Sequence, residues 1–306
     1  MLKSWAVVVM ALGALTVPAH AQSGGAQCTL FGNEASDEGE LFYRLNPTTG
    51  VGSLIGDPGQ AVTGMAFHPA TGVLYASTAL ISIAGSTLPT CHLITIDPHT
   101  GNGTDIGSFG LADIGNEGCT LADLTFDPVS NILYGWRARS EGDLYTVNLQ
   151  TGAATKVGES GLSGLFGGGL AFGPGGKLFL AAEGTEGPLR TVDESTGLPI
   201  GSVTLTGYGK NVSIAALAYA GGPFLYGVTR KDGDLIRINA TTGEIETIGP
   251  AASDSASIDA LAFLCPIGAA APAASARTLV FLFLALTAVG IWYNHSRQRR
   301  GPNVAA

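Results

Sequence analysis

The chain has 306 residues, a formal net charge of −9, 13% charged residues, 45 glycines and four cysteines. That length suffices for one substantial buried core. The acidic balance argues against a nucleic-acid partner, because the surface repels phosphate and offers no basic stripe.

Residues 1–21 read as a secretory signal peptide. Lys3 supplies a positive start, "WAVVVMALGALTV" is an apolar run too short to span a membrane comfortably, and "AHA" ending at Ala21 is a small-x-small cleavage pattern. A buried N-terminal helix is the alternative, and the order of these three features speaks against it. Export is therefore expected, with the mature domain covering residues 22–267.

Within that domain one turn recurs. "LNPTTG" (Leu45–Gly50) returns as "IDPHTG" (Ile96–Gly101), "VNLQTG" (Val147–Gly152), "VDESTG" (Val192–Gly197) and "INATTG" (Ile238–Gly243), at intervals of 51, 51, 45 and 46 residues. Each copy follows a strand-like run and precedes a strand that mostly ends in glycine, which is a β-hairpin signal. The Asn or Asp caps the turn, and the glycine supplies a positive φ.

A second hairpin alternates with the first. Its leading strands are "GMAF" (Gly64–Phe67), "DLTF" (Asp123–Phe126), "GLAF" (Gly169–Phe172), "ALAY" (Ala216–Tyr219) and "ALAF" (Ala260–Phe263). Its returning strands begin at Leu74, Leu133, Leu178 and Leu225. Four short strands in about 47 residues form a propeller blade. The fifth returning strand is "LFGN" at Leu30, because Thr29–Gly50 aligns with Phe224–Gly243. It has only "ALAFLC" to pair with, so the N-terminal strand completes the last blade. The expected fold is all-β, a five-bladed β-propeller closed by its N-terminal strand. The leading strands agree: they are apolar on both faces and carry small residues at alternate positions, as innermost strands packed between blades should.

Cys28 and Cys265 flank the two ends of the hairpin turn missing from that last blade, so a disulfide there would staple the ring. Cys91 and Cys119 start on one rim and are expected to form a second bridge. A metal site built from the four cysteines is the alternative, and their wide spacing disfavours it.

Chemistry is sparse. His20, His68, His92, His99 and His295 include no pair at metal-ligand spacing. "GLFGGGLAFGPGG" (Gly164–Gly176) lacks the Lys-Ser/Thr of a phosphate cradle, and close packing near the axis explains its glycines better. Metal-dependent propeller hydrolases of the secreted lactonase type place carboxylates at the starts of the inner strands. Here those positions read Gly64, Asp123, Gly169, Ala216 and Ala260. One acid among five makes neither a calcium cage nor an acid/base pair. No metal or cofactor is therefore implied.

Loop lengths say more. Ala76 to Leu93 spans seventeen positions and Gly107 to Asp123 sixteen, well beyond their counterparts in other blades. Both stretches carry a cysteine of the second pair, and "LADIGNEG" adds Asp113 and Glu117. A disulfide-pinned ridge on one rim, with Asp113, Glu117 and Asp123 as its candidate binding residues, is the expected recognition surface.

Residues 268–277 form a small-residue linker. Thr278–Tyr293 is an apolar segment of roughly 24 Å as a helix, against a hydrocarbon core of ~30 Å. Trp292 and Tyr293 sit where an interfacial belt would lie, and Arg297, Arg299 and Arg300 would hold residues 294–306 in the cytoplasm. A transmembrane helix over 278–293 is the expectation. With Lys3 and the basic residues of this tail set aside, the exported domain holds 10 basic residues against 24 acids, near −14.

The "LYG…DLYTVN.QTG" repeats over 28–266 resemble exported bacterial β-propellers of unknown function, related in layout to the NHL and YWTD propellers. The tail resembles C-terminal sorting tails of the PEP-CTERM type in its linker, short helix and basic stop. It lacks the Pro-Glu-Pro motif, which makes a plain anchor the simpler reading. Together these features imply a binding or interaction module for protein or glycan, displayed outside the cytoplasmic membrane. A propeller hydrolase or cyclotransferase with its site at the channel mouth is the alternative.

Overall fold

A computed structural model describes residues 28–34, 40–80, 85–113, 118–138, 142–162, 167–182, 187–209, 212–253 and 257–266. The expected signal peptide (1–21), linker (268–277), apolar segment (278–293) and basic tail (294–306) lie outside these residues. No helix among the described residues is long and apolar enough to cross a membrane.

The described strands assemble into five four-stranded antiparallel sheets. Blade one runs outward through β4 (Val62–Phe67), β5 (Leu74–Thr78), β6 (His92–Ile96) and β7 (Gly103–Ser108). Blade two holds β8 (Asp123–Phe126), β9 (Leu133–Arg137), β10 (Asp143–Val147) and β11 (Ala154–Glu159). Blade three holds β12 (Gly168–Phe172), β13 (Leu178–Ala182), β14 (Leu189–Val192) and β15 (Pro199–Val203). Blade four holds β16 (Ile214–Tyr219), β17 (Phe224–Thr229), β18 (Asp234–Asn239) and β19 (Ile245–Pro250).

Blade five is built from both ends of the domain. Its inner strand is β20 (Ile258–Leu264), followed outward by β1 (Thr29–Glu34), β2 (Phe42–Leu45) and β3 (Gly52–Gly56). Leu30 lies opposite Phe263 and Gly32 opposite Leu261, so the N-terminal strand pairs with the last one as the repeat alignment predicts. The Cys28–Cys265 disulfide spans the turn position of that hairpin. Each inner strand touches the next, from β4 through β8, β12, β16 and β20 back to β4. The ring is closed.

The core is divided among the five clefts between sheets. Leu30, Ala216, Leu235 and Leu261 fill the cleft between blades four and five. Phe42, Met65, Leu74 and Ala260 fill the next, and Trp136, Leu144, Leu170 and Leu180 the one between blades two and three. Every sheet is therefore covered on both faces, which is why the inner strands are apolar throughout. Aromatic pairs bridge successive blades at the same level. Phe31 meets Phe67 with centroids 5.4 Å apart, Tyr75 meets Phe126 at 5.7 Å, Tyr134 meets Phe172 at 5.6 Å and Tyr226 meets Phe263 at 5.0 Å.

The recurring turn has two jobs. Within its hairpin, Asn46 Oδ1 accepts the Thr48 N–H at 2.9 Å and the Asn46 carbonyl accepts the Gly50 N–H at 2.8 Å. Asp97, Asn148, Asp193 and Asn239 cap their turns in the same way, and the five closing glycines have φ between +73° and +79°. Between blades, the turn seats against the glycine that ends the neighbouring outer strand. A Cβ on Gly56 would run into the Thr100 carbonyl, one on Gly107 into that of Thr151, and one on Gly158 into that of Thr196. A Cβ on Gly249 would lie 2.8 Å from the Thr49 carbonyl. At the blade three to four junction the close contact is between Gly243 and the Thr204 carbonyl. The motif recurs because it is a blade-to-blade joint.

Candidate functional site

Three polar regions stand out from this scaffold: the axis, the two long loops, and a cluster beside blades four and five. They differ in how much of their chemistry remains exposed.

At the axis the inner strands approach so closely that side chains are nearly excluded. A Cβ on Gly64 would collide with the Asp123 backbone, and one on Gly169 with that of Ala216 and Leu217. Blade two is the exception. Asp123 is fully buried, its Oδ1 accepting the Leu124 N–H at 2.8 Å and its Oδ2 the N–H groups of Leu170 at 2.7 Å and Leu217 at 3.3 Å. The Met65 N–H also bonds this carboxylate. Two residues along the strand, Thr125 Oγ1 accepts the Phe172 N–H at 3.1 Å. Burial pushes the Asp123 carboxyl well above the usual carboxylate range, while its backbone donors pull it back.

This placement separates Asp123 from the ridge. At the start of so short an inner strand the side chain turns to the strand edges around the axis, and its oxygens are occupied by backbone. Asp113 is exposed on the loop 109–122. Glu117 lies outside the described residues.

The long loops 79–91 and 109–122 lie on the same rim and are joined by the Cys91–Cys119 disulfide. Their described segments 85–91, 109–113 and 118–122 lie down on the scaffold. The Thr87 and Leu88 N–H groups donate to the Gly59 carbonyl at 2.9 and 3.1 Å. Ser86 Oγ donates to Glu40 Oε1 at 2.8 Å, and Gln60 Nε2 to the Leu88 carbonyl at 3.2 Å. The first loop is thereby strapped to blade five and the segment leading into blade one. The second is held by Arg137, whose Nη2 and Nε donate to the Ala112 and Gly118 carbonyls at 2.7 and 2.9 Å. Cys91 takes a positive φ of 59°, an uncommon conformation for a residue with a Cβ. The Glu40 carboxyl is pushed above its usual range by burial, with Asp57 adding to the shift and Ser86 opposing it.

On the same rim, the turn after β17 holds a polar cluster that the sequence reading missed. Arg230 Nη1 pairs with Asp259 Oδ1. Burial raises the Asp259 carboxyl, Arg230 opposes that shift and Glu34 adds to it. Tyr43 OH donates to Glu34 Oε2 at 3.4 Å. The Tyr208 hydroxyl lies 2.7 Å from Asp234 Oδ2, 3.1 Å from Asp232 Oδ2 and 3.2 Å from Thr229 Oγ1. Burial and the two carboxylates push this phenol up. The spacing "DGD" over 232–234 was the available signal, but Tyr208 lies on the connection from blade three to blade four and Asp259 on the inner strand of blade five. Among the described residues no group of three or more His, Cys, Asp or Glu could hold a metal ion.

Residues 116–263 match a family model described as a repeat of unknown function (DUF6923). That span covers blades two to four and most of the inner strand of blade five. No curated protein matches the chain. Among solved structures, a chain of a nidogen/laminin complex is 12% identical, covers 77% of this chain and 97% of its own, and superposes with a TM-score of 0.50. A protein of unknown function from Bacteroides thetaiotaomicron is also 12% identical, over 72% of this chain and 58% of its own, with a TM-score of 0.47. Glutaminyl cyclase from Myxococcus xanthus is 18% identical over 66% and 69%, with a TM-score of 0.42. At 12% identity the likeness to the chain of the nidogen/laminin complex is one of fold alone.

Proposed function

We propose that this protein is an extracytoplasmic binding module, anchored by the apolar segment 278–293, that engages a protein or glycan through the rim bearing its long loops. The observation that carries the reading is the strapping of segments 85–91, 109–113 and 118–122, joined by the Cys91–Cys119 disulfide at one blade junction. Elsewhere on this rim the blades carry shorter connections, such as 57–61 and 230–233. Loops held rigidly where the repeats diverge are where a scaffold places recognition. The two disulfides support an oxidising, extracytoplasmic location. Exposed acids on this rim, Asp57, Asp113 and Asp232 among them, favour a partner without clustered negative charge.

A hydrolase or cyclotransferase with its site at the channel mouth is the second reading, and the Arg230–Asp259 pair beside Glu34 is the feature that favours it. The axial carboxylate does not serve it, since backbone N–H groups occupy both oxygens.

The test is a screen of the full-length chain against arrays of cell-surface glycans and exported proteins. It is repeated with a variant in which residues 80–90 are replaced by a four-residue turn. The module reading predicts a ligand whose binding falls at least tenfold in the variant. Unchanged binding overturns the assignment to this rim, and turnover of an arrayed compound that is lost in Asp259→Asn favours the enzyme.

A further inference from the structure

The innermost strand of each sheet is paired on one side only, so alternate backbone N–H groups along it face the axis. Leu124, Leu170 and Leu217 direct these groups onto the Asp123 carboxylate, and Met65 joins them. The four residues hold the same position in the inner strands of blades one to four, one after Gly64, Asp123, Gly169 and Ala216. The ring of donors is thus a product of the repeat, while the acceptor comes from one blade alone. The other blades place Gly or Ala where Asp123 stands, and the close approach at Gly64 and Gly169 shows why a second side chain would not fit.

Converging backbone N–H groups in a water-excluded site create a positive concavity suited to an anion. All the named partners of Asp123 are donors. An ionised carboxylate satisfies them without aiming a proton at another donor. We propose that the propeller axis is an anion site formed by the inner-strand amides, that Asp123 is its built-in ligand, and that the vacated site takes a small free carboxylate. In this role the side chain couples blade two to blades one, three and four at a point no disulfide reaches.

The test uses the full-length chain with its disulfides intact and the variant Asp123→Gly, which installs the residue blades one and three already carry there. Loss of a buried, multiply bonded carboxylate should lower the Tm by about 10 °C. Sodium formate, titrated against sodium sulfate at constant ionic strength, should restore about half of that loss in a saturable way. The wild type should move by no more than ~1 °C, because its site is filled. Asp123→Asn keeps the volume but turns one acceptor into a donor facing N–H groups. It should lose comparable stability and gain nothing from formate.

An Asp123→Gly variant within ~2 °C of the wild type would overturn the proposal, as would equal formate effects on both proteins. So would a wild-type Tm in Asp123→Asn, which would show that a neutral group suffices. If Asp123→Gly does not fold unaided, recovery of folded protein on refolding in formate supports the site. Equal failure with and without formate sinks it.

Discussion

Removing the Cys28–Cys265 bridge should be the most damaging pairwise substitution at the cysteines, by an amount that follows from sequence separation. The two cysteines are 237 residues apart, and closing a loop of that length in the unfolded chain corresponds to about 5.5 kcal/mol in the chain-entropy account. Cys91 and Cys119 are 28 residues apart, which gives about 3.6 kcal/mol by the same relation. Replacing each pair by alanine should therefore lower stability unequally, with the ring-closing pair costing about 2 kcal/mol more. For a domain of this size the larger loss corresponds to about 15 °C in Tm. Guanidinium unfolding followed by Trp136 fluorescence is the assay, because Trp136 is fully buried between blades two and three. The native-state term is shared, since the β1–β20 ladder remains in either variant. Equal losses for the two pairs would refute the loop-length reasoning. A loss below about 1 kcal/mol on removing Cys28 and Cys265 would show that the ladder alone closes the ring.

Three further outcomes follow from the blade joints and the loop strap. Gly158→Ala should destabilise the protein by about 2 kcal/mol, because its Cβ would run into the Thr196 carbonyl of the next blade. Gly201→Ala, where a Cβ meets nothing within 4 Å, should change stability by no more than about 0.5 kcal/mol in the same guanidinium titration. Burial raises the folded-state pKa of Glu40 above its unfolded value, so ionisation opposes folding. The stability Glu40 contributes is present below its unfolded pKa and lost as pH rises through the folded one. Glu40→Gln should therefore raise Tm at pH 7.5, with the gain shrinking towards pH 4; a gain that grew on acidification would contradict the assignment.

Much of the fold was legible because it rests on local, repeated chemistry. The Asn/Asp-to-Gly turns, the paired hairpins and the displaced "LFGN" strand together dictate five blades and a closure, and Cys28 and Cys265 mark where that closure falls. The turn itself meant more than the sequence could show. Its period counts blades, but its seating against Gly56, Gly107 or Gly158 joins residues of neighbouring sheets. The surroundings of Asp123 were hidden for a similar reason. Its partners Leu170 and Leu217 lie 47 and 94 residues away and use backbone N–H groups that carry no residue-type signal. The stretched spacing around Cys91 and Cys119 located the long loops, but not the Ser86–Glu40 contact that lays the first one down across 46 residues of chain. Tyr208 and Asp259 were invisible as members of one cluster, since one sits on the connection from blade three to blade four and the other on the inner strand of blade five.

The most direct test of the rim assignment is hydrogen exchange of the full-length chain with and without a ligand from the array screen. Protection should rise in residues 85–91, 109–113 and 118–122. Protection confined to the opposite rim, in the turns Asn46–Gly50, Asp97–Gly101 and Asn148–Gly152, would contradict it.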